Sequence, residues 1–313
     1  MRVGLDVGGT KTDAVAVSPA GEIVGRVRLA TGWGPDAVVA TLLRAVAALN
    51  RDAGIASGEI SSIGVGIPGQ VEPGSSLVTH AVNLGVDELD LGAALEPQLG
   101  VPVRVENDVK AAALGADALR PGDGSGRARS MAFLNVGTGI AAGIVTGGEL
   151  WRGARGTAGE VGHISIDPNG PLCRCGQRGC IEAFAGGAAI AQRWGRPGAL
   201  PVRDVFDAAD AGDPTAHALR AGLAHGIAAG VRVLVLTADV DAVVLGGGLT
   251  ALGGRLASDV RRELRVGAAA SAFMQSLRLE ERFELLPAGS PAAAFGAAMV
   301  GATRDPEGVL THG

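Results

Sequence analysis

A strand, a glycine turn and a returning strand occur twice in this 313-residue chain, and that repetition constrains the fold more than any other feature. The first copy runs from an apolar stretch at 3–7 through Gly8-Gly9-Thr10-Lys11 to a strand at 14–17, with a further strand at 22–29. The second runs from 131–134 through Asn135 and the turn Gly137-Thr138-Gly139 to a strand at 141–145, then Gly147-Gly148-Glu149. Any two hairpins share some likeness, but the matched glycine spacing favours two related domains, and so long a period does not suit a solenoid. Buried strands are expected at 63–67, 101–105 and 242–245, the last ending in Gly246-Gly247-Gly248, and helices at 37–49, 109–119, within 214–236 and at 292–301. This alternation is the pattern of an α/β protein. Residues 120–127, polar and glycine-rich, form the best internal boundary. The expected division is therefore 1–119 plus 292–313 against 120–291, with a frayed tail after Arg304.

The segment from His163 to Glu182 contains all three cysteines, Cys173, Cys175 and Cys180. Three thiolates and one imidazole close a tetrahedral zinc site, and zinc without an open position is structural. Three unrelated thiols, or one disulfide with a spare, are the alternatives; tight spacing and an odd cysteine number favour the metal. Glu160 and Glu182 flank the knot, so its expected role is to fold a loop and aim neighbouring carboxylates.

A net charge of −5 gives no basic excess for a general nucleic-acid or membrane-surface binder. Cysteines clustered at metal-like spacing fit a reducing cytoplasm better than a disulfide framework. Asp6 interrupts the first apolar run, so no secretory signal is expected, and Asp239 and Asp241 cut the most apolar stretch, so no transmembrane span is expected.

Glycine turns at strand ends bare backbone N–H groups that suit phosphate oxygens. Asp6 adds a carboxylate for water-bound Mg²⁺ and Thr10 a hydroxyl for phosphate. The pattern is neither a P-loop nor a dinucleotide fingerprint, because no Walker sequence occurs and a strand follows the glycines. One such turn is an ordinary β-turn; two, with Gly247 and Gly248 as a third, point to a nucleotide cleft. Asp108 ends a strand and begins a helix, where it is expected to serve as N-cap and as general base.

Asp6-Val7-Gly8-Gly9-Thr10-Lys11, Gly66-Ile67-Pro68-Gly69, Glu106-Asn107-Asp108, Gly137-Thr138-Gly139, Glu160-Val161-Gly162-His163 and the cysteine knot occur in one order. Together they resemble the ROK family of bacterial sugar kinases and sugar-responsive repressors. The resemblance implies a two-domain actin-like, ribonuclease H-like ATPase fold, with a duplicated βββαβα core and a zinc-bound loop in the second domain. It implies ATP-dependent phosphorylation of the 6-hydroxyl of a hexose, glucose first, with N-acetylglucosamine or N-acetylmannosamine as the alternative. On that resemblance Asp108 takes the proton of the sugar 6-hydroxyl. Gly69, Asn83, Asn107, Asp108, Glu160, His163 and Glu182 match positions that hold the sugar. Asp6, Gly8, Gly9, Thr10, Lys11, Gly137, Thr138, Gly139, Gly247 and Gly248 match the ATP·Mg²⁺ site, and His163, Cys173, Cys175 and Cys180 the zinc site. A homodimer or homotetramer in the cytoplasm, binding neither nucleic acid nor membrane, is the implied setting.

Two departures bear on that expectation. Lys110, one of only two lysines with Lys11, stands where these kinases commonly carry a small polar residue. It is expected to be a solvated helix lysine or, less simply, to touch phosphate or lower the pKa of Asp108. The loop His80-Ala81-Val82-Asn83-Leu84-Gly85 lacks the Pro-Asn and Trp of many glucose-specific members, which leaves the hexose open. A repressor of the same family would carry a DNA-binding segment ahead of the first strand, which begins here at Arg2; a sugar-binding protein without catalysis would not need Asp108.

Overall fold

The computed structural model describes residues 1–120 and 129–302, so most of the glycine-rich boundary and the tail after Arg304 lie outside the described residues. Two compact units form, one from Met1–Gly126, Gly148–Ala158 and Pro291–Gly313, the other from Arg127–Gly147 and Gly159–Ser290. The short segment Gly148–Ala158, which the sequence division assigned to 120–291, groups with the first unit.

The first unit opens with β1 (Arg2–Val7), β2 (Lys11–Val17), β3 (Ile23–Ala30) and α1 (Pro35–Ala53). Gly34 and Pro35 start α1 as the sequence suggests, and Gly54 ends it in the left-handed conformation. Next come β4 (Ser62–Ile67), β5 (Gln70–Val71), β6 (Leu77–Ala81), β7 (Val86–Asp90), α2 (Leu91–Leu99), β8 (Val103–Asn107) and α3 (Asp108–Leu119). The main sheet has the order β3-β2-β1-β4-β8. Strand β2 is antiparallel to β1 and β3, whereas β1, β4 and β8 are parallel. The parallel strands are apolar along their length because both faces are covered; Val3, Leu5, Ile63 and Val65 are fully buried. Strands β5, β6 and β7 make a small antiparallel sheet.

The rest of the chain forms β9 (Ser130–Val136), β10 (Ile140–Thr146), β11 (Glu149–Trp151), α4 (Ile181–Ala185), α5 (Gly187–Trp194), α6 (Pro201–Asp210) and α7 (Pro214–Ala238). Then follow β12 (Ala242–Gly246), α8 (Gly254–Ala268), α9 (Ala272–Ser276), α10 (Leu279–Arg282), β13 (Phe283–Leu285) and α11 (Ala292–Val300). In the second unit β10, β9, β12 and β13 lie in that order, with β10 antiparallel to β9 and the other three parallel. This repeats β2-β1-β4-β8 strand for strand, so the two glycine turns occupy equivalent β-hairpins.

Helix α7 is long and apolar enough, by length and composition, to cross a membrane, which the sequence reading did not anticipate. Its Leu223, Ile227 and Val231 are instead fully buried in the core of the second unit. Helix α11 belongs to the first unit and approaches it at backbone distance. A Cβ on Gly64 would lie 1.7 Å from the Ala297 carbonyl oxygen, and one on Gly115 of α3 would lie 1.8 Å from that of Ala292. Only glycine permits these contacts, and they fix the axis of the helix that begins at Asp108.

Candidate active site

In the first unit, the parallel strands β1 and β8 deliver Asp6 and Asp108 at their carboxyl ends, the edge at which open α/β sheets bind ligands. Burial pushes the Asp6 carboxyl up to about 7, helped by the negative charges of Asp108 and of Asp13, its partner across the β1–β2 ladder, and opposed by Lys11 and Arg28. Arg28 grips Asp13 through Nε at 2.8 Å and a second nitrogen at 2.9 Å, so Asp13 is balanced by its own cation. Asp6 and Asp108 thus bring two mutually repelling carboxylates together, an oxygen donor set that suits a hard divalent cation.

The turn between β1 and β2 is closed by the Gly8 N–H donating to the Lys11 carbonyl at 2.9 Å. Thr10 and Lys11 are exposed beside it. Gly9 rests on Asn83, where an added Cβ would stand 3.1 Å from the Asn83 carbonyl oxygen. The first glycine turn, expected to hold phosphate, and the loop expected to hold sugar therefore touch.

Asn107 is the N-cap of α3, its side-chain oxygen accepting from the N–H groups of Val109 and Lys110. This corrects the assignment of the cap to Asp108, which is the first helical residue and accepts from the Val109 N–H at 2.9 Å. Asn107 wins because its oxygen reaches two amides from just outside the helix. Its Nδ2 donates to the Gly69 carbonyl at 3.2 Å. Gly69, at φ 112, turns there as other residues rarely can.

Lys110 is not a solvated lysine. Only 4% of it is exposed, and its Nζ donates to the carbonyl of Gly156. Sequence reasoning also passed over Glu106 as more than part of a motif. Glu106 is buried, accepts from the Asn107 N–H at 3.0 Å and pairs with Arg152 Nε at 2.6 Å. The one available signal was the alanine-rich run of α3: a helix with small residues all round is packed all round.

In the second unit, the turn after β9 is tied down by its neighbours. Gly137 N–H donates to the Gly139 carbonyl at 3.1 Å, while the carbonyls of Gly137 and Thr138 accept from Gly187 and Ala188 at 2.8 and 3.0 Å. Glu182 accepts the Ile140 N–H at 2.9 Å, so this carboxylate holds the residue that follows the glycine turn. Gly247, at φ 88, lies against β9, where a Cβ would stand 2.5 Å from the Val136 carbonyl oxygen and 2.7 Å from Asn135 Oδ1. Gly248 begins the short turn that follows. The two glycine segments of this unit are thus adjacent.

Glu160 is exposed and directly precedes the 3₁₀ turn Val161–His163. His163, Cys173, Cys175 and Cys180 gather with their ligand atoms within 4.8 Å of one another. Cys173 Sγ lies 3.8 Å from His163 Nδ1, and Cys175 Sγ lies 3.7 Å from Cys180 Sγ. Zinc–sulfur bonds of about 2.3 Å set tetrahedral sulfurs about 3.8 Å apart, so the spacing fits that ion. All three cysteines are free, which excludes the disulfide alternative in this structure. Burial pushes Cys180 up to about 12, whereas hydrogen bonds from Gln177 bring the exposed Cys175 down to about 6.

The model of the ROK family matches residues 2–302. The chain belongs to the ROK family. It is 33% identical over 279 residues to a glucokinase of Halalkalibacterium halodurans, covering 83% of this chain and 84% of that one. A ROK hexokinase of Thermus thermophilus superposes with a TM-score of 0.80 at 32% identity, over 96% of this chain and 97% of the other. A ROK glucokinase of Streptomyces griseus, solved in complex with glucose and AMPPNP, superposes with a TM-score of 0.76 at 28% identity, over 96% and 99%. The ROK fold is thereby the actin-like one the motifs imply, and its kinase members retain the same layout.

Proposed function

We propose that this ROK protein is an ATP-dependent hexose kinase of the cytoplasm that phosphorylates the 6-hydroxyl of glucose. The observation that carries the reading is the approach of Asp6 and Asp108 at the carboxyl ends of β1 and β8, two strands of one sheet with β4 between them. The glucose and AMPPNP bound by the Streptomyces griseus relative supply the substrate classes.

In this reading Asp108 accepts the proton of the 6-hydroxyl as that oxygen attacks the γ-phosphorus of ATP, the bond from that phosphorus to the β,γ-bridging oxygen breaks, and ADP leaves with the bridging oxygen. Asp108 is the first residue of α3, so its carboxyl is placed by the start of that helix. Asn107 has one amide proton left after Gly69, since an amide carries two, and that proton is directed to a sugar hydroxyl. Asn83, Gly69, Glu160, Glu182 and His163 complete the sugar contacts. His163 faces the cysteine cluster with Nδ1, which reserves Nε2 for a hydroxyl. The glycine turns at Gly8-Gly9-Thr10 and Gly137-Thr138-Gly139 receive phosphate oxygens, and Gly247-Gly248 the nucleoside. Asp6 would hold Mg²⁺ through water, and the ion would neutralise charge on the transferring phosphoryl group. His163, Cys173, Cys175 and Cys180 would hold zinc, whose part is to fold the loop between Glu160 and Glu182.

A coupled ADP-release assay with glucose, mannose, N-acetylglucosamine and N-acetylmannosamine tests this. Glucose should show the highest kcat/KM, and Asp108→Ala should abolish turnover. Preference for an acetylated sugar would move the specificity, and no turnover with any hexose would overturn the kinase reading.

A further inference from the structure

Asp108 stands between two residues that each hold the same neighbouring segment. Two positions before it, Glu106 pairs with Arg152 Nε at 2.6 Å, with side chains only 6% and 31% exposed. Two positions after it, the buried Lys110 donates to the carbonyl of Gly156. Both partners lie on the arm Gly148–Ala158 of the first unit. Gly156 itself, at φ 72, is seated so that a Cβ would come 2.9 Å from the Val71 carbonyl oxygen. The Ala158 N–H closes the arm on the Arg152 carbonyl at 3.2 Å. The next residue, Gly159, belongs to the second unit, where its carbonyl accepts from Ala142 at 2.7 Å and Glu160 follows at once.

An ammonium group withdrawn from water is costly unless it is engaged, and this chain places one of its two lysines there. Neither proposed phosphate turn includes Lys110, and its Nζ points to a backbone carbonyl on the arm. We infer that Lys110, together with the Glu106–Arg152 pair, is a positioning device that registers the arm on the first turn of α3. The arm in turn sets where the chain enters Glu160 and His163. The arm that is fastened to the base's helix thus continues directly along the chain into Glu160. This inference rests on the proposed roles of Asp108 and Glu160 in hexose phosphorylation.

The full-length chain with Lys110→Met, Lys110→Gln, Arg152→Met and the Lys110→Met/Arg152→Met double substitution tests it. Lys110→Met keeps the volume and removes the donor. It should raise the KM for glucose about tenfold, the equivalent of one charged hydrogen bond, with the KM for ATP little changed. Lys110→Gln, which keeps a donor, should recover part of the loss. Arg152→Met should show the same selective effect, and the double substitution should cost less than the sum, because both single changes release one arm. Amide exchange across residues 152–159 should rise in each variant. An unchanged glucose KM in a folded Lys110→Met protein overturns the inference, as does an equal loss in kcat and both KM values. If Lys110→Met alone does not fold, Arg152→Met and Lys110→Gln decide on the same readouts. A wild-type chain that phosphorylates no hexose refutes the kinase reading instead, and exchange at the arm still decides whether the tether exists.

Discussion

Asn107 joins two elements with one side chain: its oxygen caps α3 at Val109 and Lys110, and its amide nitrogen donates to the Gly69 carbonyl at 3.2 Å. The helix bearing Asp108 is therefore set against the turn after β4 by a single residue.

Asn107→Asp separates these two duties. A carboxylate still caps the helix but donates nothing to Gly69. Stability should fall by about 1 kcal/mol, the worth of one hydrogen bond, while Asn107→Ala should lose roughly another 1 kcal/mol through the cap. Urea denaturation of both variants measures the difference; equal losses would show that the cap contributes nothing, and an Asn107→Asp variant as stable as the wild type would show the same of the Gly69 contact.

Asp6 predicts a pH dependence of stability. Its carboxyl is raised from 3.8 to about 7 in the folded chain, first by burial and then by Asp108. Between those values the folded protein keeps a proton that the unfolded chain has released, so stability should fall as pH rises through this window. The contribution is on the order of 2–4 kcal/mol, should vanish in Asp6→Asn, and should shrink when Mg²⁺ is added. Denaturation midpoints from pH 4 to pH 8 provide the check; a wild-type slope matching that of Asp6→Asn would refute it.

Chelation of the cysteine cluster should unfold the loop between Glu160 and Glu182 without touching the first unit. We expect one zinc per chain by elemental analysis, lost in Cys180→Ser, with a lowered melting temperature and a raised KM for glucose. Zinc must displace the proton that burial holds on Cys180, pushed up to about 12, so apparent affinity should rise with pH. A zinc-free wild type with full activity would contradict this.

Gly159→Ala should be among the most damaging single-methyl changes in the second unit. The new Cβ would lie 1.9 Å from the Ala142 carbonyl oxygen at a backbone φ of 97, a conformation that suits glycine. A loss of roughly 2–4 kcal/mol is expected from the clash and the strain. Melting temperature and zinc content together report it, and a wild-type melting curve would rule the argument out.

Much of this architecture is legible in the chain before any coordinates. Hairpin glycines, the Gly34-Pro35 helix start and the closing alanine-rich helix each follow from local backbone chemistry, and the structure contains all three. The cysteine cluster was readable for the same reason, since its three thiols fall within eight residues. What escaped depends on pairing across sequence. Glu106 and Arg152 are 46 positions apart, and neither sits in a pattern that names the other. Lys110 was misjudged because a lysine two residues from Asp108 does not share its helix face. The decisive fact was that α3 is buried along Val109 to Asp117, which follows only once α11 is in place.

Helix α11, drawn from the end of the described chain, is seated against Gly64 and Gly115 of the unit that begins it. A ribosome can therefore release the whole second unit ready to fold while the first still lacks its innermost helix. The half of the molecule synthesised earliest is completed last, and a message broken before position 291 should yield a product whose opening sheet keeps α1 on one face and has Val15 and Val17 uncovered on the other.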